Sequence, residues 1–254
     1  METLTANYQR YCFAEHWHPE LVIAVTESGH ARFRYRGASH TARRGAIFVH
    51  HPGEPHSGGP DGQEGWSYRA AYIPEPLFRQ LTGSPDVPYF GADVFDDPAL
   101  ANKLTRFHQS LQVQCSRLRR ESYLIEALLA LSRRHSQGLP SNSIRHQPAS
   151  VSRAREFLHA HLAEDVSAGA LARASGLSPY HLIRTFRDKL GLTPHAYQLS
   201  IRVGRAKDLL REGTPIAEVA LQTGFYDQAH FTKVFKSQVG LTPHRYARYD
   251  QTRK

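Results

Sequence analysis

Gly224-Phe-Tyr-Asp-Gln-Ala-His-Phe-Thr-Lys-Val-Phe-Lys-Ser-Gln-Val-Gly-Leu-Thr-Pro-His244 has a counterpart 49 residues earlier in the same chain. Subtracting 49 sets Phe235 on Phe186, Lys233 on Arg184, Lys236 on Arg187, His230 on His181 and Tyr246 on Tyr197. It also sets Gly240-Leu-Thr-Pro-His244 on the identical Gly191-Leu-Thr-Pro-His195. Upstream of the turn the offset is 48, with Ala220 on Ala172 and Gly224 on Gly176, so the second copy has one extra residue in its turn. A unit of about fifty residues present twice is one supersecondary element used twice, too few copies for a solenoid.

Each copy reads as a short helix, a glycine turn and a longer helix. In the first, Ala168–Ser175 leads through Gly176-Leu177 to Ser178-Pro179, an N-cap and first-turn proline opening a helix to Leu190. In the second, Ile216–Thr223 leads through Gly224-Phe225 to Asp227, the cap of a helix over Gln228–Val239. This is the pattern of a helix-turn-helix. Leu182, Phe186 and Leu190, like Phe231, Phe235 and Val239, recur at i+4 and must face a core. The opposite faces carry Tyr180, Ile183, Arg184 and Arg187 in one copy and Ala229, Thr232, Lys233 and Lys236 in the other. Small apolar groups and donors on such a face reach base edges, and basic residues neutralise phosphates. On one helix these would read as ordinary solvated charges; the same face in two copies favours DNA.

Charge agrees with this. The 254-residue chain carries a formal net charge of +9, and residues 150–254 hold 16 Lys and Arg against 9 Asp and Glu, whereas residues 1–149 hold 16 against 14. The excess of positive charge on the repeated part suits a polyanion. No apolar run is long enough to cross a membrane, and no membrane partner is expected. Met1-Glu-Thr-Leu-Thr lacks the features of a signal peptide, and Cys12 and Cys115 are the only cysteines, so a reducing cytoplasm is the expected location.

The first 137 residues differ. Leu21–Val25, Ala31–Tyr35, Ala46–Val49 and Trp66–Ala70 are short apolar runs separated by glycines, the signature of an all-β sandwich or barrel. From Pro98 the period changes to helical: Leu100, Leu104, Phe107 and Leu111 follow the cap Asp97-Pro98, and Leu124, Leu128 and Leu131 make a second stripe. Residues 138–149 are polar and proline-containing, a linker. The expectation is therefore an α+β chain: a domain at 1–137 with a β-barrel and appended helices, a linker at 138–149, and an all-α domain at 150–254.

The pattern of Gly224, Phe225, Asp227, Phe231, Phe235, Lys236, Gly240, Thr242, Pro243 and Tyr246 resembles the signature of the AraC/XylS transcription regulators, with Arg202, Ala206, Leu209 and Leu210 similar to the helix that joins the two units there. The resemblance implies two recognition helices entering successive major grooves of double-stranded promoter DNA. Tyr180, Ile183 and Arg184, with Gln228, Ala229, His230 and Lys233, then occupy the base-facing positions. It also implies activation rather than repression, hence contact with RNA polymerase, and a homodimer formed through the helices after Pro98.

His16-Trp-His18-Pro-Glu20 and Gly45 to His56 resemble the two motifs of a cupin barrel. His16, His18, Glu20 and His56 would then line the barrel mouth with Trp66, Tyr68, Arg69 or Tyr72, a site for a small polar or zwitterionic effector. The sequence leaves open whether these aromatics line a site or form plain core, and which face of their strand points inward. His16, His18 and His56 could hold zinc, iron or manganese, but Glu20 comes too early for the metal-cupin pattern, and no cofactor is expected. The leading expectation is an effector-controlled, sequence-specific transcription regulator and no enzyme. The alternative is a cupin metalloprotein or metalloenzyme with an accessory DNA-binding domain, although no nucleophile elbow, phosphate loop or cysteine pair supports it. A constitutive architectural DNA binder would leave residues 1–137 without a role.

Overall fold

The structure is a computed structural model, described over residues 1–113, 116–137 and 148–251, apart from the side chains of residues 117, 118, 180 and 249–251. Residues 138–147, most of the expected linker, lie outside the described residues, as does Cys115. The chain divides into two compact units, Met1–Cys12 with Pro19–Arg145, and Phe13–His18 with His146–Lys254. In chain order the elements are β1 (Glu2–Tyr8), β2 (Phe13–His16), β3 (Leu21–Tyr35), β4 (Ala38–Arg43), β5 (Ile47–His50), β6 (His56–Pro60), β7 (Trp66–Ile73), α1 (Glu75–Thr82), β8 (Tyr89–Phe90), β9 (Val94–Phe95), α2 (Pro98–Ser110), α3 (Arg117–His135) and β10 (Ser136–Gln137). The helices that follow among the described residues are α4 (Ala149–Ala160), α5 (Ala168–Ser175), α6 (Pro179–Leu190), α7 (Pro194–Arg211), α8 (Ile216–Gln222), α9 (Gln228–Val239) and α10 (Pro243–Gln251). The expected α+β class holds.

In the first unit the runs Leu21–Val25 and Ala31–Tyr35 are one strand, not two. The first half of β3 lies between β5 and β7, and its second half between β4 and β6. A bulge between Thr26 and Ser28 and the left-handed Gly29, at φ 64°, bend the strand between these partners. A Cβ on Gly29 would collide with the carbonyl of Gly65. The expected closed barrel is corrected to an open sheet: the path β1-β7-β3-β5-β9 has free ends, and no pairing joins them among the described residues. At two residues, β9 is too short to carry the ladder onward. One face of the sheet, with Leu21, Ile23, Val25, Ile47, Val49, Ala71 and Ile73, packs on Phe78 of α1 and on the α2 and α3 stripes Leu100, Leu104, Phe107, Leu124, Leu128 and Leu131. The cap of α2 forms as read, with Asp97 accepting from the Leu100 amide at 3.0 Å.

The second unit is built from the repeat. Gly191 and Gly240 end α6 and α9, Thr193 and Thr242 accept from the amides of Ala196 (3.2 Å) and Arg245 (3.3 Å), and a proline opens each following helix. Gly-Leu-Thr-Pro is thus a stop and a start in four residues. α7 feeds two cores. Tyr197 and Ile201 join Val151, Ala154, Leu158, Leu171, Leu182 and Phe186. Val203, Ala206, Leu209 and Leu210 join Val219, Phe225, Phe231, Phe235 and Tyr246. Helix α4, absent from the sequence reading, supplies the first copy with the outer helix that α7 supplies to the second. Arg202 donates to the carbonyls of Leu162 and Glu164, both at 2.8 Å, and its guanidinium lies 5.8 Å from the Phe225 ring centre. Gly224, at φ 73°, comes so close to Ala163 that a Cβ would strike its carbonyl.

Two glycines therefore respond to a methyl group with opposite sign. Gly224→Ala combines left-handed strain with backbone collision and is expected to lower stability by about 2–4 kcal/mol. Gly204→Ala, inside α7 with nothing within 4 Å of the added atom, is expected to raise it by about 0.5–1 kcal/mol. Urea unfolding of the helical unit's signal reads both.

Candidate functional site

The two longer helices present matched faces. Leu182 and Phe186 on α6, and Phe231 and Phe235 on α9, are buried. Ile183, Arg184, Arg187, Gln228, Ala229, His230, Lys233 and Lys236 are exposed, and Thr232 is half-buried. Tyr180 lies in the first turn of α6, and its side chain is outside the described ones. Ile183 is 44% exposed, an apolar side chain that gains nothing from facing water. Arg184 sits 3.8 Å from Asp188 one turn on, an exposed pair of little energetic weight.

The helix N-termini that carry these residues are held by their caps. Ser178 accepts from the His181 amide at 3.4 Å and Asp227 from the His230 amide at 2.6 Å. The preceding helices end alike, with the buried Ser175 hydroxyl donating to the Ala172 carbonyl at 2.9 Å and the buried Thr223 hydroxyl to the Val219 carbonyl at 2.6 Å. Edge-on packing of Tyr197 against Phe186 and of Tyr246 against Phe235, both with centroids 5.4 Å apart, repeats behind the two faces. Each face is thus a polar and basic surface on a rigid, capped helix, which can enter a groove and donate to base edges and phosphates.

His16 and His18 belong to this helical unit, with the segment Phe13–His18. Trp17 from the same segment stacks on Tyr197 at 5.0 Å, and Tyr197 also accepts from Arg155 at 3.0 Å. His16 is buried, and its Nδ1 donates to the Ala14 carbonyl at 2.8 Å. Burial, against that hydrogen bond and with the charge of Lys207 acting in the same direction, pushes its pKa down to about 4.

Of the effector residues read from sequence, Glu20, His56, Trp66, Tyr68, Arg69 and Tyr72 belong to the sheet unit. Trp66 and Tyr68 share the inner face of β7, stacked at 4.0 Å and buried, with Phe48 5.7 Å from Trp66. The ring series continues from Phe48 through His50 (5.4 Å) to His56 (4.1 Å), and Trp66 donates to the Thr26 hydroxyl at 3.3 Å. Tyr72 lies near Glu20: burial first, then the charges of Glu2, Tyr8 and Glu20, drive its hydroxyl pKa upward. Arg69 points to the other face of β7 and pairs with Glu27 at 2.5 Å, so it stands apart from Trp66 and Tyr68. Both His16 and His56 fix Nδ1 on a backbone carbonyl, His56 on that of Glu54 at 3.0 Å. That tautomer makes Nε2 the acceptor nitrogen of each ring, the form a metal ligand uses.

Sequence reasoning missed a second polar centre. Arg36, at φ 52° in the β3–β4 turn, donates to Glu54 (2.7 Å), Asp93 (2.8 Å) and the Phe90 carbonyl (3.1 Å), and its guanidinium lies 3.0 Å from His51 Nδ1. His51 Nε2 accepts from the Phe90 amide at 3.1 Å. A second proton would displace the Phe90 amide from Nε2, and burial followed by the Arg36 charge lowers the His51 pKa to about 4, against the opposing charge of Glu54 and a hydrogen bond to the Pro88 backbone. The unfolded chain protonates His51 near its ordinary 6.5, so this stability is complete above that pH and is lost as pH falls from 6.5 towards 4. The difference in melting midpoint between the wild type and His51→Gln is expected to narrow over that window. A constant difference would contradict a neutral His51.

A family model described as an AraC-like ligand binding domain matches residues 1–128, and one described as a helix-turn-helix domain matches residues 171–249. The uncharacterized HTH-type transcriptional regulator YbfI of Bacillus subtilis (strain 168) is 33% identical over 222 residues, 86% of this chain and 81% of that protein. The HTH-type transcriptional activator RhaS of Salmonella schwarzengrund (strain CVM19633) is 31% identical over 155 residues, 61% of this chain and 47% of its own length. Among solved structures, apo ToxT from Vibrio cholerae strain SCE256 is similar with a TM-score of 0.61 over 97% of both chains at 14% identity, a likeness of fold.

Proposed function

The chain belongs to the AraC family of helix-turn-helix transcriptional regulators, DNA-binding proteins with an N-terminal ligand-binding domain, and from that premise we propose that α6 and α9 insert into successive major grooves of a promoter. The observation that carries this reading is the matched division of two helices, buried at Phe186 and Phe235 and exposed at Arg184 and Lys233. In this reading Ile183 and Ala229 make apolar contacts, and Tyr180, Arg184, Gln228, His230 and Lys233 reach base edges. Arg187, Thr232 and Lys236 hold the phosphates. The protein acts by binding rather than by catalysis.

The effector occupies the inner face of the sheet unit, along Glu20, Tyr72, Tyr68, Trp66 and His56, and is held by organic contacts rather than by a resident metal. An aromatic wall with imidazole and carboxylate groups supports a small ligand with a planar body and a polar end. The protein works in the cytoplasm, where no helix among the described residues is long and apolar enough to cross a membrane. It is a homodimer through α2 and α3, and an activator that meets RNA polymerase, as the name of the RhaS relatives suggests.

Arg184→Ala and Lys233→Ala are each expected to weaken binding to the selected operator by about 1–3 kcal/mol while leaving the melting midpoint unchanged. Titration of operator and random DNA at several salt concentrations checks this. Equal losses on both DNAs would assign the residue to phosphate instead of a base.

A further inference from the structure

The turns of the two helix-turn-helix units differ in length by one residue, and the extra residue is the most exposed large hydrophobic side chain among the described residues of the helical unit. From the turn glycine to the cap, the first copy runs Gly176-Leu177-Ser178 and the second Gly224-Phe225-Tyr226-Asp227. Phe225 takes the place of Leu177 against the core and is 4% exposed, whereas Tyr226 is 94% exposed. No hydrogen bond, ring stack or charge partner of Tyr226 exists among the described residues. Its ring adds nothing to either core, so folding does not account for an aromatic phenol at this position. Nor does the turn itself: the cap function belongs to Asp227, whose side chain already binds the His230 amide.

Its place in the unit supplies a role. Tyr226 directly precedes the cap of α9, at the end of the helix where Gln228, Ala229 and His230 are exposed. When the first turn of a helix reaches base edges in a major groove, the segment leading into it passes over the sugar–phosphate strand that bounds the groove. We propose that Tyr226 is a phosphate-positioning residue unique to the second unit, its hydroxyl donating to a non-bridging phosphate oxygen and its ring lying along the adjacent sugar. The proposal rests on α9 being a DNA-facing helix. The contact is neutral, which separates it from those of Lys233 and Lys236. A lysine on phosphate releases a counterion and steepens the salt dependence of binding, and a tyrosine hydroxyl does not. It also makes the units unequal: the half-site under α9 has an anchor that the half-site under α6 lacks, giving the protein a direction on DNA.

The test uses the full chain, the operator it selects from random DNA, and Tyr226→Phe, Tyr226→Ala and Lys233→Ala compared across salt concentrations. Tyr226→Phe, which removes only the hydroxyl, is expected to lose about tenfold in affinity. Its slope of log affinity against log salt should equal that of the wild type. Tyr226→Ala should lose at least as much. Methylphosphonate placed singly along the operator should weaken the wild type at one phosphate beside the α9 half-site and leave Tyr226→Phe indifferent there. Wild-type affinity in both Tyr226 variants, with Lys233→Ala weakened, would overturn the proposal and leave the α9 reading standing. A loss in Tyr226→Ala with none in Tyr226→Phe would overturn the hydroxyl contact. Unchanged binding in all three variants would remove α9 from the DNA and the proposal with it.

Discussion

The double burial of α7 is the constraint on which the DNA-binding unit depends. One helix places Tyr197 and Ile201 in the first core and Val203, Ala206, Leu209 and Leu210 in the second, so neither copy of the repeat can rotate without withdrawing apolar surface from a core. Arg202 sits between these groups and adds a polar fastening. It holds the Leu162 and Glu164 carbonyls and reaches over Phe225, joining the loop before the first helix-turn-helix to the turn of the second. The near-touch of Gly224 and Ala163 closes the same seam. Packing, a buried guanidinium and a glycine thus fix one relation between α6 and α9.

If α6 and α9 both contact DNA as proposed, rigidity turns two weak binding elements into one specific one. Two short helices on a flexible tether would each bind with modest affinity and search independently; held in one body, the second engages without further loss of translational freedom. The sheet unit is stabilised differently, by an apolar layer between its outer face and α1 to α3 and by the Arg36 network at the far end of β3. Its inner face carries a continuous series of rings from β5, β6 and β7.

The helical unit was legible because its signals are local. Ser178-Pro179, Asp227 and the two Gly-Leu-Thr-Pro segments act within four residues, and the i+4 apolar stripes need no distant partner to be read. The internal repeat then doubled each signal. The sheet unit was less legible for the opposite reason. Gly29 looks like a strand end, yet it bends β3 where the chain meets Gly65, 36 residues on. Arg36 reads as a turn residue until Glu54 and Asp93, 18 and 57 residues away, arrive beside it. His16 and His18 suggest a strand of the first domain. They fall in the helical unit because the neighbouring Trp17 packs on Tyr197, a pairing no spacing rule encodes. Of the candidate ligand residues, the alternation along β7 was readable, but only the fold showed that Trp66 and Tyr68 point inward and that Arg69 does not.

The most direct measurement of the central claim is the affinity of the full chain for its operator with five or ten base pairs inserted between the two half-sites. A rigid α7 can bridge only the native spacing, so the account predicts that both insertions reduce binding to the level of a single half-site, although ten base pairs restore the helical phase of the DNA. Recovery of affinity with the ten-base-pair insertion would contradict it, because the two recognition helices would then be free to separate by a full turn of the duplex.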